Sequence, residues 1–92
     1  MNWTISIDDS CKKELQKLDR QSQKLILNYL YNKVAKLDHP RLLGKALRKN
    51  LKGYWRYRVD KFRIICQIKE GTFLVLALKI GKRDEIYELF DS

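Results

Sequence analysis

The chain has 92 residues, of which 45% are hydrophobic and 34% charged, and its formal net charge is +9. This length predicts one small domain, residues 1–92, with a single core. No apolar run approaches the ~18 residues of a membrane span and no signal sequence is recognisable, so we expect a soluble cytoplasmic protein with no membrane partner. The two cysteines, Cys11 and Cys66, are too few for a disulfide scaffold and are expected to be buried thiols.

The first forty residues predict a strand followed by two helices. Polar and apolar residues alternate over 2–7, which indicates a half-buried strand. Residues 8–10 are good N-caps for a first helix, and Asp19 is a good N-cap for a second, which should stop before Pro40. The second helix carries an apolar stripe of period ~3.6, formed by Ile26, Leu27, Leu30, Val34 and Leu37. We therefore expect a helical hairpin that covers one face of a sheet.

The second half predicts three strands that follow one another as an antiparallel meander. A basic connection with regularly placed leucines, residues 41–52, leads into a hairpin whose turn lies at Asp60 and Lys61. Residues 72–80 are nearly all apolar, which favours an interior strand covered on both faces, and Gly81 is expected to end it. The predicted fold is therefore α+β, in the order β-α-α-β-β-β.

Positive charge is concentrated at the start of this second half. Residues 41–63 contain nine Lys or Arg and one acidic residue, whereas the segments on either side are nearly neutral. Such a focused basic segment is typical of proteins that bind a polyanion. The alternative is a solvated surface that only confers solubility, but solubility does not require the aromatic residues that alternate with these cations.

The predicted hairpin sorts its residues onto two chemically opposite faces, because successive side chains on a strand alternate in direction. One face carries Trp55, Tyr57, Val59, Phe62, Ile64, Cys66 and Ile68. The other carries Tyr54, Arg56, Arg58, Arg63, Ile65 and Gln67. In this register Arg58 lies directly opposite Arg63, where like charges destabilise a sheet. We interpret the retained repulsion as a sign that these arginines hold an anion.

An arginine cluster suits phosphate chemistry, because guanidinium is a fixed cation whose planar fork matches two phosphate oxygens. If strand 72–80 lies beside the strand that bears Arg63, five side chains converge on one face: Arg56, Arg58, Arg63, Arg83 and Tyr87. They would stabilise the charge that develops when a 2′-hydroxyl attacks the adjacent phosphate. The residues expected to bind the RNA backbone or stack on its bases are Lys45, Arg48, Lys49, Lys52, Lys82 and Tyr54.

Other chemistries find no support in the sequence. It contains no Cys/His spacing typical of a metal site, no glycine-rich phosphate loop and no Ser-His-Asp set. The single histidine, His39, excludes a ribonuclease mechanism that uses a pair of histidines. We therefore expect neither a metal nor another cofactor.

Three segments in combination resemble the RelE family of bacterial and archaeal toxins, within the wider RelE/ParE superfamily. They are GYWRYRV at 53–59, FRIICQI at 62–68, and IGKR at 80–83 followed by Tyr87. The resemblance covers essentially the whole chain and implies a small α+β fold. It also implies a toxin of a type II toxin–antitoxin system that cleaves mRNA in the ribosomal A site. Its expected partners are the ribosome, mRNA and a cognate antitoxin that wraps around it.

The resemblance also implies roles for individual residues. Arg56 and Arg58 fall where members of the family have two functional basic residues, which are lysines in the best-known member. Arg63 matches the arginine that braces the scissile phosphate, and Arg83 the arginine proposed to serve the leaving group. Tyr87 matches the tyrosine that stacks on the base or assists proton transfer.

The identity of the general base stays open, as do two alternative functions. Since arginine does not give up its proton, Arg56 and Arg58 are unsuitable as bases, and Tyr87 is the better candidate. Lys52 and Lys82 are weaker alternatives. The chain could instead be a ParE-like toxin that poisons DNA gyrase, or a catalytically silent member that only binds RNA or its antitoxin.

Overall fold

The computed structural model describes residues 2–48 and 51–82. The helical part comprises α1 (Asp9–Gln16) and α2 (Arg20–Asn28), and α2 continues into a π-helical segment, Tyr29–Val34. The strands in this part of the chain are β1 (Thr4–Ile7), β2 (Lys45–Ala46), β3 (Trp55–Val59), β4 (Phe62–Lys69) and β5 (Leu74–Lys82). None of the helices within these residues is both long and apolar enough to cross a membrane.

These strands form one sheet in the order β1-β5-β4-β3-β2. The strands β3, β4 and β5 form the predicted antiparallel meander, and β1 pairs with β5 in parallel. The α+β class and the meander are thus confirmed. The strand count differs from the prediction, because β2 lies within the segment that we expected to be an irregular connection.

Both helices begin at the predicted caps. The Asp8 carboxylate accepts a hydrogen bond from Ser10 N at 3.2 Å, and the Asp19 carboxylate accepts one from Ser22 N at 3.3 Å. Each carboxylate satisfies an amide that has no partner in the first helical turn. The predicted stop before Pro40 is too late, because regular helical geometry ends with the π-helical segment at Val34.

The two helices and the π-helical segment cover one face of the sheet. The core cluster joins helical residues Cys11, Leu15, Ile26, Leu30 and Val34 to strand residues Tyr57, Val59, Phe62, Ile64, Cys66, Val75, Ala77 and Ile80. Tyr57 is fully buried there, and its hydroxyl donates to the Pro40 carbonyl at 2.5 Å. The predicted apolar face of the hairpin is therefore the face against the helices.

The interior strand β5 departs from the prediction in two ways. It continues through Gly81 to Lys82, so that Gly81 lies within the strand, opposite Arg63. On the face away from the helices, Leu74 and Leu76 are only half-buried, so that face is not closed as the other is. Ala77 and Ile80 are three residues apart, so strict alternation would place their side chains on opposite faces of the sheet. The register shift between Ile65 and Cys66 interrupts the alternation, and both side chains reach the core.

Candidate functional site

The face of the sheet away from the helices carries four cations in two cross-strand pairs. Arg58 lies directly opposite Arg63, as the sequence predicts, and Lys45 lies directly opposite Arg56. Residues opposite one another in an antiparallel pair project to the same side, where like charges destabilise a sheet. We refer to Lys45, Arg56, Arg58 and Arg63 together as the arginine face.

Arg63 is the most buried of these cations. Only 8% of its surface is exposed, and its Nη1 donates to the Phe62 carbonyl at 3.2 Å. Its neighbour across the sheet on β5 is Gly81, which contributes no side chain. A guanidinium held in a desolvated position interacts more strongly with an anion than one in water and needs less reorganisation to do so. Arg63 is therefore the cation of the arginine face whose charge water screens least.

The other arginines are held by the residues that alternate with them on β3. Arg58 is exposed and Arg56 half-buried. Between them, Tyr57 points into the core and is tied to Pro40 through its hydroxyl. Trp55 is tied through its indole nitrogen to the Leu43 carbonyl at 2.8 Å. These contacts hold the backbone of β3 in place. The Cα atoms of Arg56 and Arg58, from which the guanidinium groups extend, are therefore fixed.

The remaining predicted site residues do not all join the arginine face. Tyr54 is half-buried and precedes β3, while Arg48 and Lys52 are exposed in the loop between β2 and β3. The register places Lys82 opposite Phe62, on the helix side of the sheet, where it lines a cavity of about 260 Å³ with Glu14 and Lys17. Three predicted residues lie outside the described residues, namely Lys49, Arg83 and Tyr87.

The buried thiols take no part in this site. Burial raises the pKa of Cys11 to about 12, and burial likewise raises the pKa of Cys66 far above its usual value. Both are therefore neutral near pH 7 and unsuited to nucleophilic attack. Over residues 2–48 and 51–82, no three histidine, cysteine or acidic side chains are grouped so that they could hold a metal ion. The chemistry available at the arginine face is binding and stabilisation of an anion.

Comparisons with known proteins agree with this fold. Residues 5–87 match the family described as "ParE toxin of type II toxin-antitoxin system, parDE". Toxin RelE of Mycobacterium tuberculosis is 25% identical, over 95% of this chain and 88% of its own length. Toxin RelG of the same organism is 23% identical, over 95% of this chain and 98% of its own.

Solved structures of toxin–antitoxin complexes share the fold. A chain of the toxin–antitoxin complex RelBE2 from Mycobacterium tuberculosis aligns with a TM-score of 0.83 at 20% identity, over 90% of this chain and 93% of its own. A chain of the archaeal RelE–RelB complex from Pyrococcus horikoshii aligns with a TM-score of 0.70 at 20% identity, over 90% and 97%.

Fold and site together define a small α+β protein with a cationic face on the side of its sheet away from the helices. The family match extends over nearly the whole chain. The chain therefore belongs to the ParE toxin family of type II toxin–antitoxin systems and is a RelE-family toxin, as the resemblance predicted.

Proposed function

We propose that this toxin is a ribosome-dependent endoribonuclease that cleaves mRNA in the ribosomal A site and thereby inhibits translation. The observation that carries the proposal is the pairing of Arg58 with Arg63 on a face that also bears Lys45 and Arg56. A sheet that keeps two like-charge pairs side by side gains most from a ligand with closely spaced negative charges. An RNA backbone is such a ligand.

In the proposed reaction, the ribose 2′-oxygen attacks the adjacent phosphorus and the bond from phosphorus to the 5′-oxygen breaks. The products are a 2′,3′-cyclic phosphate, which can open to a 3′-phosphate, and a 5′-hydroxyl end. Arg58 and Arg63 stabilise the negative charge on the phosphorane-like transition state, on the order of 3–4 kcal/mol for each donor. Since fixed guanidinium charges do this work, the reaction needs no metal.

Two residues near the end of the chain are proposed to assist the attack and the departure of the leaving group. Tyr87 is the proposed general base that takes the 2′-hydroxyl proton, in keeping with the role that the family resemblance implies for it. Arg83 is proposed to stabilise the negative charge on the leaving 5′-oxygen, which takes its proton from water, and Arg56 to hold the substrate phosphate. Arg56 and Arg58 are excluded as bases because arginine remains protonated in proteins.

Mapping cleavage sites in translated messages tests the proposal. The wild-type chain is expected to produce cuts in phase with codons, detected by primer extension, and Arg63→Ala or Arg83→Ala should reduce them about 10²–10³-fold. Lys69→Ala is the matched control, because Lys69 is an exposed lysine at the far end of β4 from Arg63. Growth inhibition by the wild type with intact messages would contradict the proposal.

Gyrase inhibition is the second candidate, and it is favoured by the description of the matched family as ParE toxins. A supercoiling assay with purified DNA gyrase separates the two functions. Inhibition of supercoiling together with intact messages would favour the gyrase target. A third outcome, salt-sensitive RNA binding with neither activity, would identify a catalytically silent member.

We also propose that a cognate antitoxin binds this toxin through an amphipathic helix. Similar RelE proteins have been solved in complexes with RelB antitoxins, and a chain of net charge +9 favours an acidic partner. Two surfaces are candidates: the arginine face, and the helical hairpin, where Leu25 and Tyr31 are each 45% exposed. Binding at the arginine face should weaken strongly as salt rises, whereas apolar binding at the hairpin should not.

A further inference from the structure

Strand β2 is only two residues long, yet its position against β3 is tightly constrained. Gly44, which precedes it, has φ of +78°, a backbone conformation that L side chains rarely adopt. A Cβ at Gly44 would lie 2.3 Å from the Arg56 carbonyl oxygen and 2.6 Å from Trp55 Nε1. Only glycine therefore lets the chain approach β3 this closely just before Lys45.

Further contacts fix the segment on both sides of β2. The Trp55 indole nitrogen donates to the Leu43 carbonyl at 2.8 Å, and the Arg41 guanidinium lies 5.7 Å from the centre of the Trp55 ring. After β2, Leu47 N donates to the Tyr54 carbonyl at 3.1 Å. The two-residue strand is thus held by the contacts of Trp55 before it and by the hydrogen bond from Leu47 to Tyr54 after it.

This arrangement fixes the position of one exposed cation. Lys45 is exposed and lies directly opposite Arg56, on the same side of the sheet as Arg58 and Arg63. Neighbouring strands are ~4.8 Å apart and each residue rises ~3.3 Å along a strand, so the Cα atoms of these four cations lie along a diagonal about 12 Å long. Arg58 and Arg63 form the pair at one end of this diagonal, and Arg56 and Lys45 form the pair at the other end.

We propose that β2 supplies a second phosphate-binding position, in which Lys45, fixed beside Arg56 by Gly44 and Trp55, holds the RNA phosphate next to the one gripped by Arg58 and Arg63. This inference rests on the proposed function, because it takes the arginine face as the RNA-binding face. Arg56 and Lys45 are two residues along β3 and one strand further from Arg58 and Arg63, so a phosphate held by the first pair leaves the second pair facing the next position along the backbone. A chain of successive phosphates interacts with both pairs.

A lysine that only adds solvated surface charge does not require the contacts of Gly44 and Trp55 that position β2. The contribution of such a lysine to RNA affinity would depend on the net charge of the protein alone and not on its place in the sheet. The proposal instead requires that both the charge of Lys45 and its position beside Arg56 contribute to binding. The two requirements are tested separately.

The charge requirement is tested with a single-stranded RNA oligonucleotide whose riboses are 2′-O-methylated, so that it lacks the attacking hydroxyl. Binding is followed by fluorescence anisotropy over a range of salt concentrations. Lys45→Ala should lower the slope of log affinity against log salt by about 0.7, which is about fivefold weaker binding at 0.1 M salt. Lys45→Arg should bind like the wild type, and so should Lys69→Ala, which removes an equal charge at the far end of β4.

The position requirement is tested with Gly44→Ala, which keeps Lys45 but forces β2 away from β3. This variant should lose as much affinity as Lys45→Ala while retaining a cooperative thermal unfolding transition. If it does not fold, Trp55→Phe removes the hydrogen bond to Leu43 and part of the ring over which Arg41 lies, and it should give a smaller loss in the same direction. Wild-type affinity in a folded Gly44→Ala variant would overturn the inference.

The outcomes separate this inference from the proposed function. Equal affinity and salt slope for Lys45→Ala and the wild type, with Arg63-dependent cleavage intact, would overturn the second phosphate position alone. Absence of salt-dependent binding by the wild type would overturn it as well. Absence of cleavage by the wild type would contradict the proposed function and leave the oligonucleotide result standing.

Discussion

The two faces of the sheet follow opposite rules, although they are built from the same strands. On the helix side, side chains such as Tyr57 and Ile64 are fully buried in one apolar cluster. On the arginine face, Arg58 and Lys45 are exposed and lie opposite other cations. The first arrangement lowers the free energy of the folded state, and the second raises it. The apolar face thus stabilises the fold, and the arginine face lowers that stability because it holds like charges close together.

The contrast between the two faces is sharpest within β3, where neighbouring residues alternate between the core and the arginine face. Tyr57 and Val59 are buried in the core, whereas Arg56 and Arg58 belong to the arginine face. A strand is suited to this division because its side chains alternate by one residue. Substitutions one position apart on this sheet should therefore affect different properties, and the following predictions test that separation in order of decreasing effect.

The largest effect on stability is expected for Ile64→Ala, on the helix side of β4. Ile64 is fully buried, so the substitution removes apolar contacts and leaves a cavity, at a cost of about 2–5 kcal/mol in the free energy of unfolding. Urea unfolding measures this cost. The graded control Ile64→Val should lose only about 0.5–1.5 kcal/mol. A loss below 1 kcal/mol for the alanine variant would show that the core does not depend on this face.

Alkaline pH should destabilise the fold through its buried thiols. Burial raises the pKa of Cys11 from 9.0 to about 12 and also raises the pKa of Cys66. Between about pH 9 and pH 12 the unfolded chain loses these protons while the folded chain keeps them. Stability should therefore be unaffected by the thiols below pH 9 and fall above it, by up to ~1.4 kcal/mol per pH unit for each thiol.

The variant Cys11→Ala tests the assignment of this pH dependence to the thiols. Chemical denaturation at several pH values between 8 and 11 should show a shallower decline for the variant than for the wild type. Identical slopes for the two proteins would show that Cys11 does not carry the effect.

A smaller loss is expected for Tyr57→Phe, which keeps the buried ring and removes its hydroxyl. The Pro40 carbonyl then loses the hydrogen bond that Tyr57 donates, and leaving a buried acceptor unsatisfied costs about 1–3 kcal/mol. Thermal or urea unfolding measures the loss. Tyr31→Phe is the matched control, because Tyr31 is 45% exposed and its change should stay within about 0.5 kcal/mol. Equal effects of the two variants would contradict the anchoring role of Tyr57.

The smallest and most diagnostic effect is expected for Arg58→Gln. Removing the repulsion with Arg63 should raise the free energy of unfolding by about 0.2–1 kcal/mol at low salt, and added salt should reduce the gain. The same variant should lose RNA cleavage. Lys69→Gln, whose cross-strand neighbour is Leu74, should leave both properties unchanged. A loss of stability in Arg58→Gln would contradict the view that this pair is kept at a cost.

The part of the site that sequence predicted correctly is the hairpin of β3 and β4. Alternation assigns each residue to a face, and a two-residue turn at Asp60 and Lys61 leaves one register, so that Arg58 had to meet Arg63. The side of the sheet on which Lys82 lies was not predictable in this way. It depends on the register across the longer turn at Glu70–Thr72 and on the shift beside Ile65.

The strand β2 was missed for a different reason. Two residues carry too little pattern to indicate a strand, and Lys45–Ala46 pairs with β3 only because Gly44 fits against Trp55. The parallel pairing of β1 with β5 was also invisible, since it joins segments about seventy residues apart. The π-helical geometry of Tyr29–Val34 escaped because an apolar stripe of similar period suits either helix type.

Sequence by itself determined the class of fold, the helix caps, the two faces of the hairpin and the family, because these depend on local periodicity and on short motifs. Only the tertiary structure decided which further cation joins the arginines, where β5 ends, and which side of the sheet Lys82 occupies. These outcomes depend on contacts between distant segments, such as Gly44 against Arg56 and β1 beside β5. Such contacts form only when the core has fixed the strands relative to one another.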